Sequence, residues 1–333
     1  MTFKPLNEND IVNTRTLLHE AIPLTGSMIN GYSGDNQKNY SHGMFTTVYD
    51  YNYLSSSANH IFDITVGASS ESSLTVTNME SKKRNIYGQM AQVLMGYDAT
   101  GSVQRFDEDG NLFGNGGTKL DEVIVIPFSR LLTKDEIKKE TFEMTLGIDN
   151  SFSDPFDTSM LITDSNASTE YRVNSPAGEY GILYNAPNSK AGLIFYQAGI
   201  VVLKMAECFG PTVDMDNAGG DLLDMMQTGS IESINSAILR RIDNIQFNNT
   251  TELNSTVYFC RANHNEFNYS SNPTYLSGSR IQVKTQATDE PVSYITTVGL
   301  YNDRNELLAT AKLSEALKKS PSTEFTIRTR LDY

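Results

Sequence analysis

Two kinds of apolar spacing divide this chain. Alternation with a period of two dominates, and each such stretch predicts a short strand: Phe62-Asp-Ile-Thr-Val66 within the region from Phe45 to Thr77, then Thr141 to Leu146, Val257 to Ala262, Ile281 to Gln286, Ile295 to Tyr301, Leu307 to Leu313 and Phe325 to Leu331. Two continuous apolar runs predict buried strands. They are Val123-Ile-Val-Ile-Pro-Phe128 and the longer Gly192 to Leu203, in which Gly199 marks a bulge or bend.

Helical spacing occurs in three places. Ile86, Met90, Val93, Leu94 and Tyr97 recur at i, i+4, i+7, i+8 and i+11 and predict a helix over about 82–97. Lys82, Lys83 and Arg84 stand at its start, where the helix dipole disfavours cations, so a solvated end or an acidic partner is expected there. Thr133-Lys-Asp-Glu136 has capping-box spacing and predicts helical turns over about 133–139. Ile231, Ile234, Ile238 and Ile242 mark one face of a helix over about 222–242, broken by Gly229-Ser230.

Turn chemistry completes the outline. Asp109-Gly110-Asn111, with a second cluster at Gly114-Asn-Gly-Gly117, makes Val103 to Val125 a hairpin, and Tyr301-Asn-Asp-Arg-Asn305 turns another. Residues 1–40 are polar and read as an extended N-terminal arm. Asn150 to Asp157, rich in Ser, Asp and Asn, is the natural internal boundary. The expected organisation is therefore an arm at 1–40, a β-rich domain with one helix at 41–150, a mixed α/β region at 151–250 and an antiparallel β domain at 251–333. The expected fold class is β-rich α+β, with antiparallel sheets in sandwich-like subdomains and a few helices. Nothing repeats at a fixed period, which argues against a solenoid or propeller.

Composition narrows the function classes. With 39% hydrophobic and 20% charged residues among 333, the chain is expected to fold. Tyr 17 and Phe 15 with Trp 0 suit strands. A net charge of −14 argues against a nucleic-acid partner, since phosphate contacts need clustered Lys and Arg. No apolar run reaches transmembrane length and residues 1–10 lack a signal-peptide core, so no membrane partner and synthesis in a cytosol are expected. Cys208 and Cys260 fit neither a CxxC motif nor a disulfide framework, and Cys260 reads as a buried thiol.

Candidate chemistry is sparse. His19-Glu20 begins like a zinc-protease motif, but Pro23 stands where the second His belongs. Asp107-Glu-Asp109 and Asp214-Met-Asp216 fit no EF-hand loop and read as turn aspartates. Gly114 to Lys119 is glycine-rich without Walker A spacing. No catalytic, cofactor-binding or metal-ligating residue is nominated, and no enzyme activity or cofactor is expected.

The richest segment for recognition is Tyr258 to Tyr275, which starts as a strand and becomes an aromatic, Asn-rich loop ending after Asn272-Pro273. Tyr and Phe bring rigid apolar area at low entropic cost, and Asn offers donors and acceptors to a backbone edge. Folding back over a sheet and gripping another protein both suit such a loop. The protein-contact candidates are His264, Phe267, Tyr269 and Tyr275.

Several phrases together resemble a family of virion structural proteins of large contractile-tailed (myovirus-type) bacteriophages. They are Ile86 to Tyr97, Gln104 to Gly110, Phe128 to Lys139, Gly192 to Gly199, Phe247 to Thr256, the loop with Phe267-Asn-Tyr269 and Val298 to Ala309. The resemblance runs from about Ile86 to the C-terminus. Gly299-Leu-Tyr301 with Glu306-Leu-Leu-Ala309, followed by Thr326 to Leu331, is also similar to β-rich domains that attach tail fibres to baseplates. The resemblance implies a subunit present in multiple symmetric copies in the tail or baseplate of a virion. Its partners would be baseplate wedge, tail tube or fibre proteins. A neck, collar or capsid-associated protein, and a tail-borne polysaccharide or peptidoglycan hydrolase, stand as alternatives.

Overall fold

The computed structural model describes residues 4–25, 36–50, 60–110, 117–185, 189–284 and 286–333. The chain forms two compact units, Leu18–Thr251 and Met1–Leu17 with Glu252–Tyr333. The expected class is found: a large antiparallel sheet with small hairpins and few helices, 44% strand and 16% helix. No helix among the described residues is long and apolar enough to cross a membrane.

In chain order the strands begin with β1 (Ile11–Thr25), β2 (Gln37–Asn39), β3 (Thr46–Tyr49) and β4 (His60–Ala68), followed by α1 (Glu80–Leu94) and β5 (Glu122–Pro127). Then come α2 (Arg130–Thr133), β6 (Glu136–Ile137), β7 (Glu143–Gly147), β8 (Ser159–Thr163), α3 (Ala167–Glu170), β9 (Arg172–Ser175) and β10 (Gly178–Asn185). β11 (Ser189–Phe195) and β12 (Ile200–Lys204) lead to the helices α4 (Met205–Cys208), α5 (Leu222–Thr228) and α6 (Ile231–Leu239). After β13 (Ile242–Ala262) the chain forms β14 (Leu276–Ser277), β15 (Arg280–Ile281), β16 (Ser293–Tyr301), β17 (Leu307–Lys319) and β18 (Phe325–Asp332).

In the unit Leu18–Thr251 the strand order is β13-β7-β8-β10-β11-β12-β5-β4-β3-β2, with β6 on β13 and β9 on β10. The continuous apolar runs are its centre, buried on both faces. Ile124, Ile126, Ile194, Val201 and Leu203 enter one core with Ile231, Ile234 and Ile238 of α6. Val123, Val125, Leu193, Phe195 and Val202 enter the other with Tyr87, Ala91 and Leu94 of α1. Strict alternation thus sends successive side chains to opposite layers. At Gly67 the helix lies directly on β4: a Cβ there would stand 2.9 Å from the Tyr87 backbone nitrogen. The apolar run bends at Gly199, whose φ of +66° suits glycine.

The helix near 222–242 is split at Gly229, as expected. Asp221 accepts from Asp224 N–H and caps α5, and Ser230 accepts from Ser233 N–H and caps α6. The 82–97 expectation needs correction in its face. Ile86, Tyr87, Ala91 and Leu94 are buried, whereas Val93 and Tyr97 are exposed. The charges at the start of α1 are not a solvated end. Lys83 is buried, and its Nζ donates to the Met226 and Gly229 carbonyl oxygens (2.7 and 2.8 Å), closing the C-terminal end of α5. Burial pushes its amine down to about 8.

The helix expected at 133–139 is also corrected. Helical turns occupy Arg130–Thr133 instead; Lys134 has φ +54°, and Glu136–Ile137 is a strand on β13. Ile137 N–H donates to Tyr196 O and its side chain is buried, so tertiary pairing overrides the local capping pattern. In the arm, Ile11–Thr25 is a strand beside β13 rather than irregular chain. Its own residues from Ile11 to Ala21 are all exposed, so no inward–outward alternation marks them, and Pro23 is tolerated because the strand is an edge.

The Asp107–Lys119 connection pairs as a hairpin, with its tip at 111–116 outside the described residues. Asn150 to Asp157 joins β7 to β8 within one unit.

Candidate protein-contact surface

In the unit Met1–Leu17 with Glu252–Tyr333, β18 pairs antiparallel with β13 from Ser255↔Asp332 to Ala262↔Phe325. β16 and β17 form a separate hairpin, as their spacing predicts. Its turn is closed by Asn302, whose Oδ1 accepts from the N–H groups of Arg304 (3.0 Å) and Glu306 (2.8 Å), with Asn305 at φ +62°.

The aromatic loop leaves β13 at Ala262. Asn263 N–H donates to Glu266 Oε2 at 3.0 Å and Glu266 N–H returns to the Asn263 carbonyl at 3.0 Å, which makes the first turn. Lys4 also pairs with Glu266, and this cation holds the Glu266 carboxyl below its ordinary range. Asn268 Nδ2 donates to His264 O at 2.8 Å. Beneath them lies Lys319, fully buried, whose Nζ donates to Asn268 Oδ1 (2.7 Å), Ser320 O (2.9 Å) and His264 O (3.2 Å). Burial lowers the Lys319 amine from its ordinary value. Further on, Asn272 Oδ1 accepts from Thr274 N–H, and Gln282 N–H donates to Tyr275 O at 2.6 Å.

The four candidates are placed differently by this scaffold. Phe267 sits at φ +55°, with its ring partly exposed and its carbonyl accepting from Ser293 Oγ. Tyr269 is 57% exposed. His264 is exposed beside Glu324, with Nδ1 3.2 Å from Oε1. Tyr275 is half-buried at the end of the helical turn Pro273–Tyr275 that precedes β14.

Of these four, only Phe267 lines a groove of about 840 Å³ within the unit. Leu6, Ile11, Tyr258, Leu300 and Leu308 form much of the remaining apolar wall. Asp10 and Arg261 pair at 2.6 Å along it, which holds the Asp10 carboxyl below its ordinary value. Cys260, expected as a buried thiol, is half-buried in this wall.

Sequence reasoning missed the hairpin's contribution. Leu308 is 68% exposed, Tyr294 55% and Leu307 52%. Leu307 and Leu308 are adjacent on a strand and therefore point to opposite faces. Two neighbouring leucines with no polar face between them were the available signal. Among the described residues of this unit, Val257 and Ala262 are the only buried hydrophobics.

The remaining titratable candidates have structural partners. Asp107 is buried against Lys119 Nζ at 2.6 Å, and Asp214 and Asp216 accept turn N–H groups of Asp216, Ala218, Gly219 and Gly220. Asp164, raised by burial, accepts from Glu140 N–H, Phe142 N–H and the Tyr196 hydroxyl. His19 Nδ1 lies 3.2 Å from Thr250 Oγ1. Among the described residues no group of three or more His, Cys, Asp or Glu side chains has a metal-holding arrangement. Compared with known protein families, curated proteins and solved structures, the chain matches none.

Proposed function

We propose that this chain is a non-enzymatic structural subunit of a contractile phage tail. In this reading it is a baseplate component that docks on the wedge or tube and holds a neighbouring subunit or tail fibre. The observation that carries the reading is the uneven burial of the two units. Leu18–Thr251 has an apolar core on both faces of its sheet, with scattered exposed residues such as Val93, Leu131 and Val173, whereas the unit containing the C-terminus buries only Val257 and Ala262 among its described hydrophobics and leaves Leu308 exposed at an apolar groove. Exposed apolar area of this kind is the signature of a surface meant to be covered. Tail subunits work by such burial, with one patch for each neighbour.

The setting comes from the resemblance of the Ile86 to Tyr97, Gly192 to Gly199 and Val298 to Ala309 phrases to virion structural proteins. Support for a non-enzymatic role comes from the perturbed ionisable groups. Lys83 and Tyr87 spend their hydrogen bonds on backbone groups of their own fold, and Asp164 on two backbone N–H groups and the Tyr196 hydroxyl.

Immunogold labelling of intact virions with antibody against this chain tests the proposal. Gold at the distal tail end is the expected result. Gold at the head–tail junction would move the chain to the neck, and absence from the particle would overturn the structural reading.

A further inference from the structure

The unit Met1–Leu17 with Glu252–Tyr333 is held together with little apolar burial, Val257 and Ala262 being its only buried hydrophobics among the described residues. Scaffolds of this kind gain stability from a disulfide or another covalent closure. A disulfide within the unit is ruled out, because Cys260 is its one cysteine and Cys208 belongs to the other unit.

Lys319 and Asn268 supply the reactants for a different closure. Lys319 is fully buried, and its Nζ donates to Asn268 Oδ1 (2.7 Å), Ser320 O (2.9 Å) and His264 O (3.2 Å). None of these acceptors is a carboxylate, so an ammonium here is stripped of water without an ion-pair partner, a costly state. Burial weakens the hold of the amine on its proton, which favours the nucleophilic free base. The carboxamide opposite is fixed at both ends, because Asn268 Nδ2 donates to His264 O at 2.8 Å. Nζ lies within about 3.9 Å of Asn268 Cγ, since the C=O bond adds only about 1.2 Å to the 2.7 Å contact. Reacting atoms held at about 3–3.5 Å are in near-attack geometry, so a shift of at most about 0.9 Å suffices. Lys83, also buried, donates only to backbone carbonyl oxygens, where attack would cut the chain. At Asn268 the carbonyl belongs to a side chain, and the same chemistry cross-links instead.

We propose that Lys319 and Asn268 join in an intramolecular isopeptide bond, an amide between Nζ and Cγ that closes the chain from 268 to 319 into a ring. The Lys319 ammonium first gives one proton to the Glu324 carboxylate, and the free amine attacks Asn268 Cγ. Glu324 and Glu266 are the carboxylates whose charge acts on this amine, and Glu266 is already engaged by Lys4. The Nζ–Cγ bond forms, the Cγ–Nδ2 bond breaks, and Nδ2 leaves as ammonia after taking a second proton from Nζ. Ammonia recovers the proton held by Glu324 and departs as ammonium, so no oxidant or other reactant is consumed. The product is neutral, which removes the buried charge. The ring encloses β14 to β17 and restricts the unfolded chain as any long loop closure does. The hydrogen bonds of the ammonium describe the chain before the bond closes. This inference goes beyond the tail reading and does not depend on it.

Electrospray mass of the intact full-length protein tests it. Wild type should be lighter than its sequence by one ammonia, whereas Lys319→Arg and Asn268→Ala should keep their full sequence masses. Lys319→Arg retains a cation for the same acceptors, but a guanidinium that stays protonated cannot attack. Trypsin should release from the wild type one branched peptide that joins the segments around Asn268 and Lys319. A wild type of full sequence mass overturns the proposal. So does ammonia loss with linear peptides alone, which is the mark of a succinimide at an asparagine. The wild-type reading stands without any variant, so misfolding of a variant does not blur it.

Discussion

The buried amine of Lys319 donates to Asn268 Oδ1 at 2.7 Å and ties the aromatic loop to the end of β17. Because the same amine also reaches the His264 and Ser320 carbonyl oxygens, one cation sets the course of the chain through His264 and Asn268. The loop that presents Phe267 and Tyr269 is thus pre-shaped before any partner arrives, which lowers the ordering cost of contact.

Lys319→Met should remove these three hydrogen bonds and leave buried acceptors unpaired, at a cost of about 1–3 kcal/mol in local stability. Hydrogen exchange across 263–275 should accelerate while exchange in β5 and β12 is unchanged. Equal loop exchange in the variant and wild type would show that the loop is held by something else.

Lys83 gives a pH prediction. Its amine is lowered to about 8 in the folded chain from an ordinary 10.5, so between these values the unfolded state binds more protons and stability attributable to Lys83 rises with pH. That contribution is full above about 10.5 and is lost as pH falls through about 8. The stability of wild type minus that of Lys83→Met should therefore grow between pH 7.5 and 10, by about 1–2 kcal/mol after solvent screening is allowed for. Urea midpoints of the two proteins at both pH values check this, and the comparison cancels the opposing titration of buried Cys208 and tyrosines.

Arg241 is a buried guanidinium that donates to four carbonyl oxygens, those of Gly147, Asp149, Ser151 and Asp214. Arg241→Met should cost about 3–5 kcal/mol, and Arg241→Lys should recover only part, because an ammonium lacks the planar fork. Chemical denaturation measures both, and a Lys variant as stable as wild type would contradict the geometric account.

Much of the architecture was legible because local chemistry and tertiary pairing agree. Gly229-Ser230 separates α5 from α6 with a serine cap, and Asn302 closes the hairpin whose strands alternate on either side. Legibility failed where long-range contacts decide. Thr133 to Glu136 carries a helix-start pattern, yet Ile137 is drawn onto β13. Lys83 has the position of a surface cation, but its carbonyl partners lie more than 140 residues away in sequence. β1 was missed because an edge strand exposed on both faces has no pattern to read. At the contact surface, the aromatic loop announced itself by composition, whereas the exposure of Leu307 and Leu308 needed the burial of the whole unit to be known.

The most direct test of the central claim is complementation of phage lacking this protein with wild type or Leu308→Glu, scored by tail morphology and infectivity. If the C-terminal surface is buried in the particle, the folded variant should fail to support intact tails while wild type restores them. Fully infectious, morphologically normal particles containing Leu308→Glu would contradict the account.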